Sequence, residues 1–139
     1  MDEPPIVEVR DLHKSYREGE TLHRVLSGAS VRIERGSFVV LLGPSGSGKS
    51  TLLNLVSGID TPDSGEVLVD GRSLGALDER DRTLFRRRHV GFVFQFYNLL
   101  PTLTVEENLL LPLELAGDVP DDARRRAGAL LERVGLSDR

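Results

Sequence analysis

The chain has 139 residues, 39% of them hydrophobic and 29% charged, with a formal net charge of −4. This is the composition of one ordinary globular domain; it excludes a disordered polyelectrolyte, and its sign offers no general field for nucleic acid or an anionic membrane. There is no cysteine, which excludes disulfides and thiolate metal sites and suits a reducing cytoplasm.

The start, MDEPPIVEVR, is acidic and Pro-containing and lacks the basic-then-apolar order of a secretory signal. Apolar runs such as Phe38–Leu42 and Leu109–Leu111 are far too short to span a bilayer, so a membrane role would come through a partner. Among the basic residues only Lys14 and Lys49 are lysines; the other sixteen are arginines.

In chain order, Ile6–Leu12 predicts a strand with apolar residues at 7, 9 and 12. Val31 and Ile33 alternate with Arg32 and Glu34 and predict a second, half-exposed strand before the turn at Arg35-Gly36-Ser37. Phe38–Leu42 is a continuous aliphatic run, the pattern of a strand buried on both faces of a parallel sheet. Glycines follow, and Lys49–Ser57 places Leu52, Leu53 and Val56 on one helical stripe with Gly58 closing it.

Thr61–Gly65 reads as a turn, Glu66–Val69 as a short strand reversed at Asp70-Gly71, and 78–88 as a charged helix. Val90–Phe94 predicts another buried strand, ending at Gln95. Thr104 and Glu107 form a capping box opening a helix to about Leu115, which Pro112 is expected to kink or interrupt. Pro120 opens a last helix carrying Ala123, Ala127, Leu130, Leu131 and Val134 on one side, with Gly135 closing it. The order implies an α/β fold with a partly parallel sheet.

The chemistry sits in Gly43-Pro44-Ser45-Gly46-Ser47-Gly48-Lys49-Ser50, which matches G-x-x-x-x-G-K-[ST]. Glycines let the backbone wrap closely around phosphate, so that successive N–H groups converge as an anion nest. A helix beginning near Lys49 adds the positive end of its dipole. Lys49 supplies a charge for the β- and γ-phosphates, Ser50 a hydroxyl for Mg²⁺, and Thr51 a hydroxyl for the α-phosphate. The pattern therefore points to ATP with Mg²⁺, and its position between an apolar run and a helix is the one the mechanism needs.

The longer stretches GPSGSGKSTLLNLVSGIDTPDSGEVLVDG and VGFVFQFYNLLPTLTVEENLLLPL closely resemble the ATP-binding subunits of ABC transporters, and among them the lipoprotein-release and macrolide-export subgroup. The resemblance runs from Val9 to Leu136. It implies a P-loop NTPase with a RecA-like core, an N-terminal antiparallel β subdomain and the start of a helical subdomain.

The resemblance puts Tyr16 where an aromatic stacks on adenine, its other reading being a tyrosine packed at a strand end. Val25 falls where an apolar nucleotide contact is common, and a core role fits it as well. Gln95 matches the glutamine that coordinates Mg²⁺, orients the attacking water and senses loss of the γ-phosphate, so that Lys49 and Gln95 are the catalytic candidates. The apolar loop Phe96–Pro101 corresponds to the surface that meets the permease; the alternative is a loop folded onto its own helical subdomain.

Other features carry plainer expectations. Arg86–Arg88 and Arg124–Arg126 read as solvated helix faces, with no nucleic-acid role. His13, His23 and His89 have no metal-ligand spacing, and Asp60, Asp63 and Asp70 read as turn residues bonding their local backbone.

The family's signature loop and its apolar strand ending in Asp-Glu, which carries the catalytic base, do not occur within residues 1–139. The expectation is therefore an N-terminal part of a single ABC-type ATP-binding domain, with the phosphate loop at 43–51 and the glutamine loop at 95–101. Such a piece would bind Mg-ATP weakly, hydrolyse it negligibly and fold poorly alone. In the whole protein the resemblance implies a cytoplasmic ATPase that pairs with a second copy and sits on the inner face of the membrane through permease subunits. A non-catalytic nucleotide-binding module is the alternative. A GTPase or small-molecule kinase is disfavoured, because no base-reading Asn-Lys-x-Asp occurs and a kinase does not account for Tyr16 and Gln95 together.

Overall fold

A computed structural model of the chain describes residues 4–117 and 119–136. It falls into two units, the first running to Arg86 and the second beginning at Arg87.

The first unit is built on a four-stranded antiparallel sheet in the order β2-β1-β3-β4. The central strand β1 (Val7–Glu18) pairs with β2 (Thr21–Ile33) on one side and with β3 (Ser64–Val69) on the other. Strands β1 and β2 extend further toward their shared turn than the apolar pattern indicates, because the polar half of the β1–β2 hairpin carries no hydrophobic alternation. Asp70 and Gly71, with φ of 51° and 72°, make the two-residue turn into β4 (Arg72–Ser73). Two successive positive φ values give the turn whose twist matches a hairpin.

The spacing 7, 9, 12 is out of step with a plain strand, and the structure shows why. Both ladders of β1 shift register around Arg10 and Asp11, and Asp11 takes a φ of 46°. This bulge reverses the alternation, so Val9, Leu12 and Lys14 are all buried. Gly65 of β3 is what admits it. A Cβ there would lie 2.3 Å from the carbonyl oxygen of Asp11, and the residue also has a φ of +89°.

Helix α1 (Lys49–Val56) contacts β3 and β2, and a 3-10 turn at Leu74–Ala76 follows β4. The core joins Val9, Leu12, Leu26, Leu55, Val67, Val69, Leu74 and Phe85, the last from α2 (Glu79–His89), within which the first unit ends.

The second unit is a helical hairpin of α3 (Val105–Ala116) and α4 (Ala123–Arg133). Thr104 and Glu107 form the expected capping box, with bonds of 2.7 and 3.2 Å. Leu110, Ala123 and Ala127 are buried together with Leu113 against them, and Arg124 reaches Glu106 at 2.9 Å. Of the kink or interruption expected at Pro112, the interruption does not occur: helix α3 is continuous through it. Helix α4 opens at Ala123, three residues after Pro120, and Leu130 and Val134 of the expected apolar side remain exposed.

Two predicted strands are absent. Phe38–Leu42 and Val90–Phe94 carry no ladder, and no parallel pairing occurs among the described residues, so the partly parallel sheet is not seen there. Phe38 is 92% exposed and Val93 fully so. A continuous apolar run needs a neighbouring strand on each side and a layer on each face, and the described residues provide no paired strand for either run.

Candidate nucleotide site

The loop at 43–51 opens α1, and its shape is set by one position. Gly48, the residue before the helix, is buried with a φ of 90°. A Cβ there would stand 3.0 Å from Leu26 Cδ2 and 3.2 Å from the Val25 carbonyl oxygen. Only glycine lets this turn lie against β2 and still enter the helix. No side chain caps the N-terminal end of α1, and its first turn holds no acidic residue. The backbone N–H groups and dipole of that end therefore remain suited to an anion.

Lys49 folds back over the loop, its Nζ donating to the carbonyl oxygens of Gly43 at 2.8 Å and Pro44 at 2.6 Å. An ammonium has three N–H donors, so these two bonds aim the charge across the loop and leave one donor for a phosphate oxygen. Tyr16, Val25, Ser45, Gly46, Gly48, Lys49, Ser50 and Thr51 line one open cleft of about 330 Å³. This brings Tyr16 from β1 and Val25 from β2 to the phosphate loop, joining most of the predicted site.

The residues fit a Mg-nucleotide. The uncapped helix end and Lys49 match phosphate, and the lining holds the Ser50 hydroxyl but no carboxylate. No cluster of three or more His, Cys, Asp or Glu side chains able to hold a metal occurs among the described residues, so a cation here would depend on the phosphates that accompany it.

Tyr16 lies within β1 and is 40% exposed. Its hydroxyl donates to Asp60 Oδ2 at 2.8 Å. The Lys14 ammonium sits 5.0 Å from the ring centroid and donates to Asp60 Oδ1 at 2.9 Å and the Thr61 carbonyl at 2.7 Å. Burial, reinforced by the Asp60 bond, pushes the Tyr16 phenol above its usual pKa and keeps it a donor. Burial acts to raise Asp60, but the bonds from Lys14, Tyr16 and the Thr61 N–H outweigh it and hold the carboxyl below its ordinary value.

Sequence reasoning missed Lys14 and Asp60. The scarcity of lysine was the one available signal, and it pointed as much to Lys14 as to Lys49. The aspartates also do more than bond local backbone. Asp60 does accept from Thr61 N, but Asp63 accepts from Ser15 N at 2.7 Å, and Asp70 pairs with Arg35.

Gln95 is described with the second unit, exposed in the irregular segment after Val90. In the loop beyond it, Phe96 and Tyr97 are 77% and 89% exposed, so these side chains do not fold onto their own helices. Its far end is pinned by Asn108, whose side-chain amide bonds the Leu100 N–H and the carbonyls of Leu100, Leu103 and Thr104. Arg86 is likewise no solvated residue: it donates to the Gly58 carbonyl at 2.6 Å.

A family model described as ABC transporter matches residues 26–139. The chain belongs to the ABC transporter family. An uncharacterized ABC transporter ATP-binding protein of Mycobacterium tuberculosis is 54% identical over 139 residues, covering 100% of this chain and 56% of its own length. The lipoprotein-releasing system ATP-binding protein LolD of Pseudomonas fluorescens is 50% identical over 139 residues, covering 100% of this chain and 61% of its own. Among solved structures, a dimeric ATP-binding cassette in a post-hydrolysis state bound to ADP and Pi superposes with a TM-score of 0.85 at 39% identity, over 95% of this chain and 58% of that one. The ABC cassette fold is thereby shown, and the chain spans little more than half the length of these relatives.

Proposed function

We propose that this chain is the nucleotide-holding part of an ABC-type ATPase that powers a membrane permease. The observation that carries the reading is the Gly48-centred loop, its uncapped helix and Lys49 sharing one cleft with Tyr16. The loop N–H groups and Lys49 hold the phosphates, Thr51 supports the α-phosphate, and the Tyr16 ring receives adenine. Ser50 would hold Mg²⁺, which would neutralise charge on the β- and γ-phosphates, and the family resemblance makes the amide oxygen of Gln95 a further candidate ligand. Lys49 and Gln95 are the catalytic candidates.

The 139-residue chain alone is proposed to hydrolyse ATP negligibly, since no carboxylate lines the cleft to serve as base. No helix of the described residues is long and apolar enough to cross a membrane. A role in an exporter or lipoprotein-release system is supported by the likeness to LolD and to the macrolide export ATP-binding/permease protein MacB of Marinobacter nauticus, and placement on the inner face of the membrane through permease subunits is proposed with it. Pairing of two ATP-binding subunits is supported by the dimeric cassette.

The test is Lys49→Ala in the complete protein. Loss of a charge-assisted bond to phosphate should weaken Mg-ATP binding by about 10–100-fold in calorimetry and abolish turnover. Unchanged affinity and turnover would sink the assignment.

A further inference from the structure

We propose that Lys14 and Asp60 are positioning residues for the base: together they fix the Tyr16 ring at the edge of the nucleotide cleft. The inference rests on the reading of Tyr16 as the adenine platform. An aromatic ring that is 40% exposed is only partly held by packing, yet a stacking platform must present one face at a set distance from the phosphates.

Besides a bond between its hydroxyl and the Thr51 side chain, the ring is held at two points. Its hydroxyl is tied to Asp60 Oδ2 at 2.8 Å, and the Lys14 ammonium covers the ring 5.0 Å from its centroid. The two points are themselves joined, because Lys14 bonds the other oxygen of the same carboxylate at 2.9 Å. Lys14 is only 8% exposed, and burying an ammonium is costly unless its N–H donors find partners. The Thr61 carbonyl at 2.7 Å supplies the second bond and the ring the third partner.

The connectivity gives the clamp its purpose. Lys14 and Tyr16 are two apart on β1, and Asp60 follows the C-terminal end of α1. The N-terminal end of that helix is the phosphate loop. Asp60 therefore couples the ring to the rigid element that holds the phosphates, and the cation on one ring face leaves the opposite face for a base. A compact ammonium suits this place, where a planar guanidinium would not present three convergent donors.

The experiment uses the complete protein stripped of nucleotide. Dissociation constants are measured for Mg-ATP and for Mg-tripolyphosphate, which lacks the base. Tyr16→Ala should weaken Mg-ATP by about 10-fold and leave tripolyphosphate within about twofold. Lys14→Met and Asp60→Asn should each weaken Mg-ATP by about 3–10-fold with tripolyphosphate unchanged. In the Tyr16→Ala background, Lys14→Met should change neither ligand further. Tyr16→Phe keeps the ring and the fold but loses the tether, and should weaken Mg-ATP by about twofold or more. It carries the test should the charge variants not fold.

Equal weakening of both ligands by Lys14→Met would mean a general structural role and overturn the proposal. So would unchanged Mg-ATP affinity in Lys14→Met or Tyr16→Phe while Tyr16→Ala still weakens it. Unchanged affinity in Tyr16→Ala would instead defeat the platform reading itself, a distinct result.

Discussion

Strand β3 and the run Phe38–Leu42 belong to the same unit and are both rich in valine and leucine, yet they end in opposite states. Val67 and Val69 of β3 are buried at 2% and 7%, and the strand pairs with β1 and β4. In the run, Phe38 and Leu42 are exposed at 92% and 85%, and no strand pairs with it. The difference lies in what each pattern demands. An alternating strand needs one core face and finds it against α1; a continuous run needs two faces and two neighbours. Hydrophobicity alone therefore does not make a strand. In the second unit Val90–Phe94 repeats the lesson, its Phe92 and Phe94 rings stacking on each other 5.5 Å apart.

The largest effect should come from the paired side. Leu12 is fully buried beside the bulge, and Leu12→Ala removes that packing. A loss of about 2–5 kcal/mol is expected by urea unfolding. A cost below about 0.5 kcal/mol would break the comparison, since the paired strands would then be no better packed than the bare run.

A smaller effect tests whether purely local devices escape this dependence. The capping box of α3 is complete within four residues and needs no distant partner. Thr104→Ala should cost about 1 kcal/mol in thermal unfolding and fray the first turn of α3 by circular dichroism. No change would mean that the bonds to Asn108 hold the helix start without the cap.

That contrast also explains what was legible in the sequence. Features specified by neighbouring residues were readable: the phosphate loop, the turn at Asp70-Gly71 and the Thr104 cap all stand where their spacing puts them. Features that depend on residues far apart were not. The β1 bulge left only an odd spacing at 7, 9 and 12, because its cause is the missing Cβ of Gly65 on another strand. Lys14 and Asp60 are 46 positions apart, and nothing local marks them as a pair. The resemblance pointed to Tyr16, and its tether is visible only in the fold. The two missing strands failed for the same reason in reverse: the pattern was local, but its fulfilment requires partners that the described residues do not provide.

The smallest expected effect is the most discriminating. Val40 is 60% exposed in the centre of the bare run, so Val40→Ala in the 139-residue chain should change stability by less than about 0.5 kcal/mol. The proposed function gives the same substitution a different consequence in the complete protein. On that proposal the run would serve as the strand that delivers the chain to the phosphate loop, with strands on either side burying it. Its truncation should then cost about 1–3 kcal/mol by urea unfolding and also weaken Mg-ATP binding, because the loop begins directly after Leu42. A cost above about 1 kcal/mol in the short chain would show the run already packed there. An equally small cost in both proteins would show that it is never a buried strand, and the phosphate loop would need another support.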